Sequence, residues 1–121
     1  MIEKTYNIGV EATMDVIGGK WKPIILCNLR HSPLRPSDLK RKIPNLSQKM
    51  LTQQLRELEA DGIVVRTSYH QVPPKVVYFL SEYGQTLSSV LDALCDWGEL
   101  HVTTLQEQGV PISLRCEDSF S

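Results

Sequence analysis

The sequence predicts a mainly α-helical fold that carries one small antiparallel β-hairpin. Apolar residues recur at helical spacing in several segments, and glycine, proline or serine separates each segment from the next. Two stretches rich in β-branched residues, 63–69 and 76–80, surround a polar segment that contains two prolines. The length of 121 residues and the hydrophobic content of 41% are those of one compact domain.

Three helices are expected before residue 46. The first spans 10–17 and ends at a Gly-Gly pair, and the second, largely apolar, spans 20–29. The segment 31–36 holds two prolines and is predicted to be a connector with a short extended piece. Ser37 is then predicted to be the N-cap of a third helix, which ends at Pro44.

Ser47 is predicted to be the N-cap of a long fourth helix that ends at Gly62. Leu51, Leu55 and Leu58 lie at i, i+4 and i+7 on this helix, so we expect them in the core. A short break followed by a long amphipathic helix is the helix-turn-helix pattern. Because the hairpin follows directly, the sequence predicts a winged helix-turn-helix.

The last predicted helix begins at Ser81-Glu82, reaches about Leu105 and carries two apolar rows. One row consists of Val90, Leu94 and Trp97; the other consists of Leu87, Leu91, Cys95, Val102 and Leu105. A helix that packs only on a small core needs one row, so a second row predicts a second packing partner. We expect a homodimer built from the N- and C-terminal helices. The predicted domain is 1–108, and 109–121 is predicted to be a flexible tail.

The fourth helix is polar on the side away from its leucines. That side consists of Gln48, Lys49, Thr52, Gln53 and Arg56. Glutamine can bind adenine through two hydrogen bonds, and lysine or arginine can bind guanine in the same way. Ser47 could bind a phosphate at the helix N-terminus. The pattern predicts sequence-specific contact with double-stranded DNA, on a pseudo-palindromic operator if the protein is dimeric.

Further DNA-binding residues are predicted beside this helix. Near the third helix, Arg35, Lys40 and Arg41 are candidates for phosphate contacts. At the hairpin tip, His70, Gln71 and Lys75 could enter the minor groove or lie on the DNA backbone. Residues 35–56 hold six Lys or Arg against one Asp, whereas 92–121 hold six Asp or Glu against one Arg. A chain with a net charge of −1 is thus polarised, with one basic region that suits a phosphate backbone.

Patterns typical of enzymes and metal sites are missing from the sequence. It contains no glycine-rich phosphate loop, no Gly-x-Ser-x-Gly and no His/Cys cluster, so we expect no catalytic residue, no cofactor and no metal. No apolar run is long enough to span a membrane, and the N-terminus does not resemble a secretory signal. We therefore expect a cytoplasmic protein without a membrane partner.

Several motifs together resemble the HxlR family of bacterial, MarR-like winged-helix regulators. They are VEATMDVIGGKWKPIIL, LSQKMLTQQLRELEADGIV, VPPKVVYFLSEYGQTL and LDALCDWG, and the likeness covers about 8–101. The resemblance implies a homodimeric repressor or activator, and some members sense oxidants or electrophiles. Two departures stand out. A Cys-Pro pair frequent before the first helix is replaced by Ile8-Gly9, and an aromatic residue usual before the third helix is replaced by Pro36.

Three alternatives stay open at this point. Cys27 and Cys95 are candidate redox sensors, although both fall on apolar helix positions where packing is the commoner role. Tyr6, Trp21 and Trp97 could line the site of a small-molecule effector, although aromatics at helical spacing more often form core. The winged helix could also bind a protein and no DNA, which the basic, amide-rich helix face disfavours.

Overall fold

A computed structural model describes residues 3–115 and confirms the predicted fold class. Within that range the chain forms five α-helices, one 3₁₀ helix and one two-stranded antiparallel sheet. In chain order these are α1 (Gly9–Ile17), α2 (Trp21–Leu29), α3 (Pro36–Lys42), α4 (Gln48–Ala60), β1 (Val64–Tyr69), β2 (Lys75–Leu80), the 3₁₀ helix (Gly84–Leu87) and α5 (Ser88–Glu107). Each described helix is too short or too polar to cross a lipid bilayer.

Contacts along the chain divide it into two units, Met1–Ser88 and Ser89–Ser121. The second unit holds nearly all of α5, after which the Val110 N–H donates to the Leu105 carbonyl at 3.0 Å. The division of the chain into a domain at 1–108 and a flexible tail stays a prediction. Residues 116–121 of that tail, with the third cysteine, lie outside the described residues.

The core of the first unit is formed by aliphatic side chains from its helices and hairpin. These are Ile17, Ile25, Leu26, Leu29, Leu39, Ile43, Leu46, Leu51, Leu55, Leu58, Ile63, Val64, Val77 and Leu80, with the ring of Tyr78. Leu51, Leu55 and Leu58 form an apolar stripe along α4. Their predicted place in the core is confirmed, because each is at most 2% exposed. The burial of this stripe fixes which side of α4 faces solvent.

Both ends of α4 form as the sequence predicts. The Ser47 hydroxyl accepts a hydrogen bond from the Met50 N–H at 3.1 Å, which satisfies one of the free amides of the first turn. At the other end Gly62 adopts a φ of 76°, a left-handed conformation that suits glycine. The Ile63 N–H then donates to the Leu58 carbonyl at 2.9 Å and closes the helix.

The predicted N-cap of the third helix was wrong. The helix begins at Pro36, with Arg35 as N-cap, so Ser37 already lies inside it. Proline suits the first helical position because its fixed φ is helical and its missing N–H would have had no partner. The Asp38 carboxylate, three residues into the helix, accepts the backbone N–H of the N-cap residue Arg35 at 3.0 Å, as the acidic residue of a capping box does.

The predicted start of the last helix was also wrong. The 3₁₀ helix intervenes, and α5 begins only at Ser88. The Ser81 hydroxyl accepts the Gly84 N–H at 2.8 Å and lies 2.6 Å from the Gly62 carbonyl oxygen, to which it donates. Contrary to the prediction from the sequence, Ser81 does not open the last helix; its hydroxyl instead ties the start of the 3₁₀ turn to the end of α4.

The hairpin pairs β1 with β2 in a register that runs from Val64–Leu80 to Tyr69–Lys75. Leu34 adds the extended piece expected in the proline-containing connector. Its N–H donates to the Tyr78 carbonyl at 2.9 Å, and the Tyr78 N–H donates back at 2.8 Å. The hairpin is thereby attached to the chain that enters α3, so that α3, α4 and the wing share one scaffold.

Candidate nucleic-acid interface

The predicted reading residues come together on the solvent side of α4. They line one shallow hollow of about 390 Å³, formed by Gln48, Lys49, Thr52, Gln53 and Arg56. All are exposed except Thr52, which is half-buried. The hollow lies between side chains that project from an exposed helix, and a helix with projecting amide, hydroxyl and cationic groups is what the major groove accepts.

Two contacts order the amides of this face. The Gln48 Nε2 lies 3.4 Å from the Thr52 Oγ1, and the Gln53 Nε2 donates to the Glu57 Oε2 at 3.2 Å. Both contacts join side chains one helical turn apart. The second is the shorter of the two and ends on a charged acceptor, so the Gln53 amide is the better anchored group.

Glu57 is the residue at this site that sequence reasoning did not single out. Its Oε1 forms an ion pair with the Nζ of Lys22, a residue of α2, at 2.6 Å. The Lys22 side chain is 12% exposed, and that of Glu57 is 44% exposed. Hydrogen bonds from Lys22 and then from Gln53 hold the pKa of the Glu57 carboxyl below its usual range. The i, i+4 spacing of Gln53 and Glu57 was the available sequence signal.

The start of α4 presents Ser47, which is exposed and serves as the N-cap. Its hydroxyl is engaged with the Met50 N–H. The amides at the very start of an α-helix have no acceptor within the helix and point outward along its axis, and here Gln48 and Lys49 occupy the first two helical positions. A phosphate at this end would meet both these donors and the positive end of the helix dipole.

The cations near α3 are more engaged than the sequence suggested. Arg35 and Arg41 both pair with Asp38, whose carboxyl has a pKa lowered first by the Arg35 backbone N–H and then by the Arg41 side chain. The Lys40 Nζ donates to the Leu46 carbonyl, in the turn before α4. Lys40 therefore supports the helix-turn-helix directly, whereas the two arginines remain exposed.

The hairpin exposes all three residues predicted at its tip, His70, Gln71 and Lys75. The Lys75 Nζ lies 5.7 Å from the centre of the Tyr69 ring, a cation–π distance. Val72 is fully exposed between them, at 101% of its reference area. The sequence analysis did not single out this valine. An aliphatic residue beside two prolines at a hairpin tip is a candidate for insertion between base pairs in the minor groove.

The residues considered for sensing lie in several different surroundings. Cys27 and Cys95 are both half-buried. Tyr6 lines a cavity of about 330 Å³ in the first unit, together with residues of α1, the 3₁₀ helix and its neighbours. Trp21 instead stacks under the Lys20 ammonium, and Trp97 stacks on His101 at 5.0 Å.

Comparison with known proteins places this arrangement in a family. The model of the HxlR-like helix-turn-helix family matches residues 16–106. The uncharacterized HTH-type transcriptional regulator YtcD of Bacillus subtilis strain 168 is 64% identical over 102 residues, which are 84% of this chain and 81% of YtcD.

Two solved structures have the same fold. An HTH-type transcriptional regulator ytcD superposes with a TM-score of 0.75 at 60% identity, over 79% of this chain and 98% of that one. The redox regulator HypR in its oxidized form superposes with a TM-score of 0.74 at 52% identity, over 76% of this chain and 95% of that one. The chain belongs to the HxlR-like helix-turn-helix family of transcriptional regulators.

Proposed function

We propose that this regulator binds double-stranded DNA sequence-specifically as a homodimer, with α4 in the major groove and the hairpin beside it. The observation that carries the proposal is the α4 face, where five polar or cationic side chains line one exposed hollow. Its amides and cations can bond base edges in the major groove. No catalytic step is part of the proposal, and the place of action is the cytoplasm, where the DNA is.

A second copy of the chain is the partner that the exposed apolar residues support. On α5, Leu94, Trp97 and Leu100 are 48% to 64% exposed, and on α1 Val10 and Met14 are exposed as well. Paired about a two-fold axis, these faces would be removed from water. Two copies of α4 would then lie about one DNA turn apart, roughly 34 Å, on a pseudo-palindromic operator.

The test begins with selection of duplexes from a random pool by the purified protein. We expect Gln53→Ala and Arg56→Ala each to weaken binding to the selected operator by about 5- to 100-fold, because each removes a base contact. Gln85→Ala, an exposed glutamine outside α4, is the matched control and should leave the affinity unchanged. Intact operator affinity in the Gln53→Ala, Arg56→Ala double variant would contradict the proposed reading face.

Salt dependence separates this function from the alternative of a protein-binding winged helix. Contacts to several phosphates release counterions, so operator affinity should fall steeply between low and physiological salt. Binding to no duplex, or binding that does not depend on salt, would favour the protein-binding alternative.

An oxidant is the effector class with the most support. A structural relative, HypR, is named as a redox regulator, and the chain carries half-buried Cys27 and Cys95. The cavity beside Tyr6 supports a small-molecule effector instead. Titration of the dimer with a hydroperoxide, followed by a DNA shift assay, tests the oxidant hypothesis. Unchanged DNA affinity would rule out redox control.

A further inference from the structure

Three side chains form a continuous chain of contacts from the core side of α4 to its reading face. The Lys22 Nζ pairs with the Glu57 Oε1 at 2.6 Å, and the Glu57 Oε2 accepts from the Gln53 Nε2 at 3.2 Å. Lys22 lies on α2 and is nearly buried, whereas Gln53 is exposed in the hollow. The exposed Gln53 amide is thus connected, through Glu57, to a largely buried ammonium on the neighbouring helix.

The chemistry of Glu57 decides which way the Gln53 amide points. An ionised carboxylate can only accept hydrogen bonds, so it binds the NH₂ group of the amide and repels its oxygen. Turning the amide over would set two acceptor oxygens against each other. A glutamate is ionised at neutral pH, and the ion pair with Lys22 holds this one in place, so the orientation of the amide is fixed before DNA arrives.

The fixed amide keeps the groups that a base contact needs. One N–H is used by Glu57, while the carbonyl oxygen and the second N–H remain. An acceptor and a donor side by side are what a bidentate contact with adenine N6 and N7 requires. An amide free to turn over would offer the reversed pattern for part of the time and discriminate less.

We propose that Glu57, anchored by Lys22, is a positioning residue that orients the Gln53 amide for adenine and so sets the base preference at one position of each half-site. The inference rests on the proposed function, since it requires that Gln53 reads DNA. Glu57 itself does not read a base in this arrangement: each of its oxygens already accepts from a protein donor, and its charge is matched by that of Lys22.

The experiment compares base preferences of full-length variants by selection from a random duplex pool, followed by affinity measurements on operators that differ at single base pairs. Gln53→Ala identifies the base pair that Gln53 reads. We expect Glu57→Ala to reduce the preference for adenine at that same base pair by about tenfold. In the Gln53→Ala background, Glu57→Ala should change this preference by less than about twofold, since the two residues act as a unit.

Two further variants keep the test independent of folding. Glu59→Ala removes the same charge from an exposed position of α4 and should leave the preference unchanged. Lys22→Met keeps the acceptor but removes its anchor, and should reduce the preference at the same base pair by a smaller factor. It tests the proposal even if thermal unfolding shows that Glu57→Ala does not fold.

The outcomes that would overturn the inference differ from those against the function. An unchanged preference in Glu57→Ala, a change at another base pair, or an equal effect in the Gln53→Ala background would each show that Glu57 does not act through Gln53. A Gln53→Ala variant with no altered preference would instead remove Gln53 from the proposed reading face.

Discussion

Helices α4 and α5 are both amphipathic in sequence, but their apolar residues end in different surroundings. On α4 all three leucines of the stripe are buried, and the opposite side carries only polar and charged side chains. On α5, Leu91 is the one residue among those described that is buried, while Leu94, Trp97 and Leu100 remain exposed. One chain covers the apolar side of α4 but leaves much of α5 in water.

This difference separates two kinds of amphipathic helix. The apolar residues of α4 serve the interior of the protein, so its outer face is free to bind a polar ligand. Exposed aliphatic and aromatic side chains on α5 have a favourable free energy to gain from a partner, at about 25 cal/mol for each Å² of apolar surface removed from water. We therefore expect substitutions on α4 to alter folding and DNA binding, and substitutions on α5 to alter assembly.

The largest effect is expected at the stripe of α4. Leu55→Asp places a carboxylate where the leucine is 2% exposed, and we expect the free energy of unfolding to fall by more than about 4 kcal/mol, which is close to the whole stability of a domain at the lower end of the ordinary range. Circular dichroism and thermal unfolding measure it. Arg56→Asp, at the next and exposed position, should keep the fold and lose DNA binding. A Leu55→Asp protein of unchanged stability would show that the stripe is not part of the core.

Substitution in the exposed apolar row of α5 should change the oligomeric state and leave the fold of the single chain intact. Leu94→Asp is expected to convert the dimer to a monomer, with an increase of at least about 100-fold in the dimer dissociation constant, because a charge would be buried at the interface. Helix content should change little, since Leu94 is exposed in the single chain.

Analytical ultracentrifugation reports the oligomeric state of this variant. The control is Thr103→Asp, which adds the same charge at an exposed position on the other side of α5. If Leu94→Asp stays dimeric at micromolar concentration, the dimer uses another surface.

The smallest effect concerns how the helices start. Helix α4 has its own N-cap, whereas α5 continues from a 3₁₀ turn. Ser47→Ala removes the hydroxyl that accepts the Met50 N–H, and should lower the free energy of unfolding by about 1 kcal/mol. Denaturant titration measures this value. Ser37→Ala is the matched control, with an expected change below about 0.5 kcal/mol, because Ser37 is not the cap of α3. Equal losses in both would show that the capping bond contributes nothing.

Much of α4 and its candidate interface could be predicted from the sequence, because the signals are local. Leu51, Leu55 and Leu58 recur at helical spacing, which places the polar residues on the other side, and Ser47 and Gly62 mark the ends. Where two local signals competed, the prediction failed. Ser37 is a good N-cap residue, but Pro36 before it is a better first helical residue. The Asp38 carboxylate then accepts the backbone N–H of Arg35, the actual N-cap.

The order of amino acids therefore sets the helices, the hairpin and the polarity of each helix face, since these depend on residues within about two turns of one another. Long-range packing sets the rest. The Lys22–Glu57 pair joins residues 35 positions apart, and the Leu34–Tyr78 bridge joins residues still farther apart. No local pattern encodes these contacts. They form only when α2, α3, α4 and the hairpin pack around one core, and the Lys22–Glu57 pair is the one that reaches the Gln53 side chain.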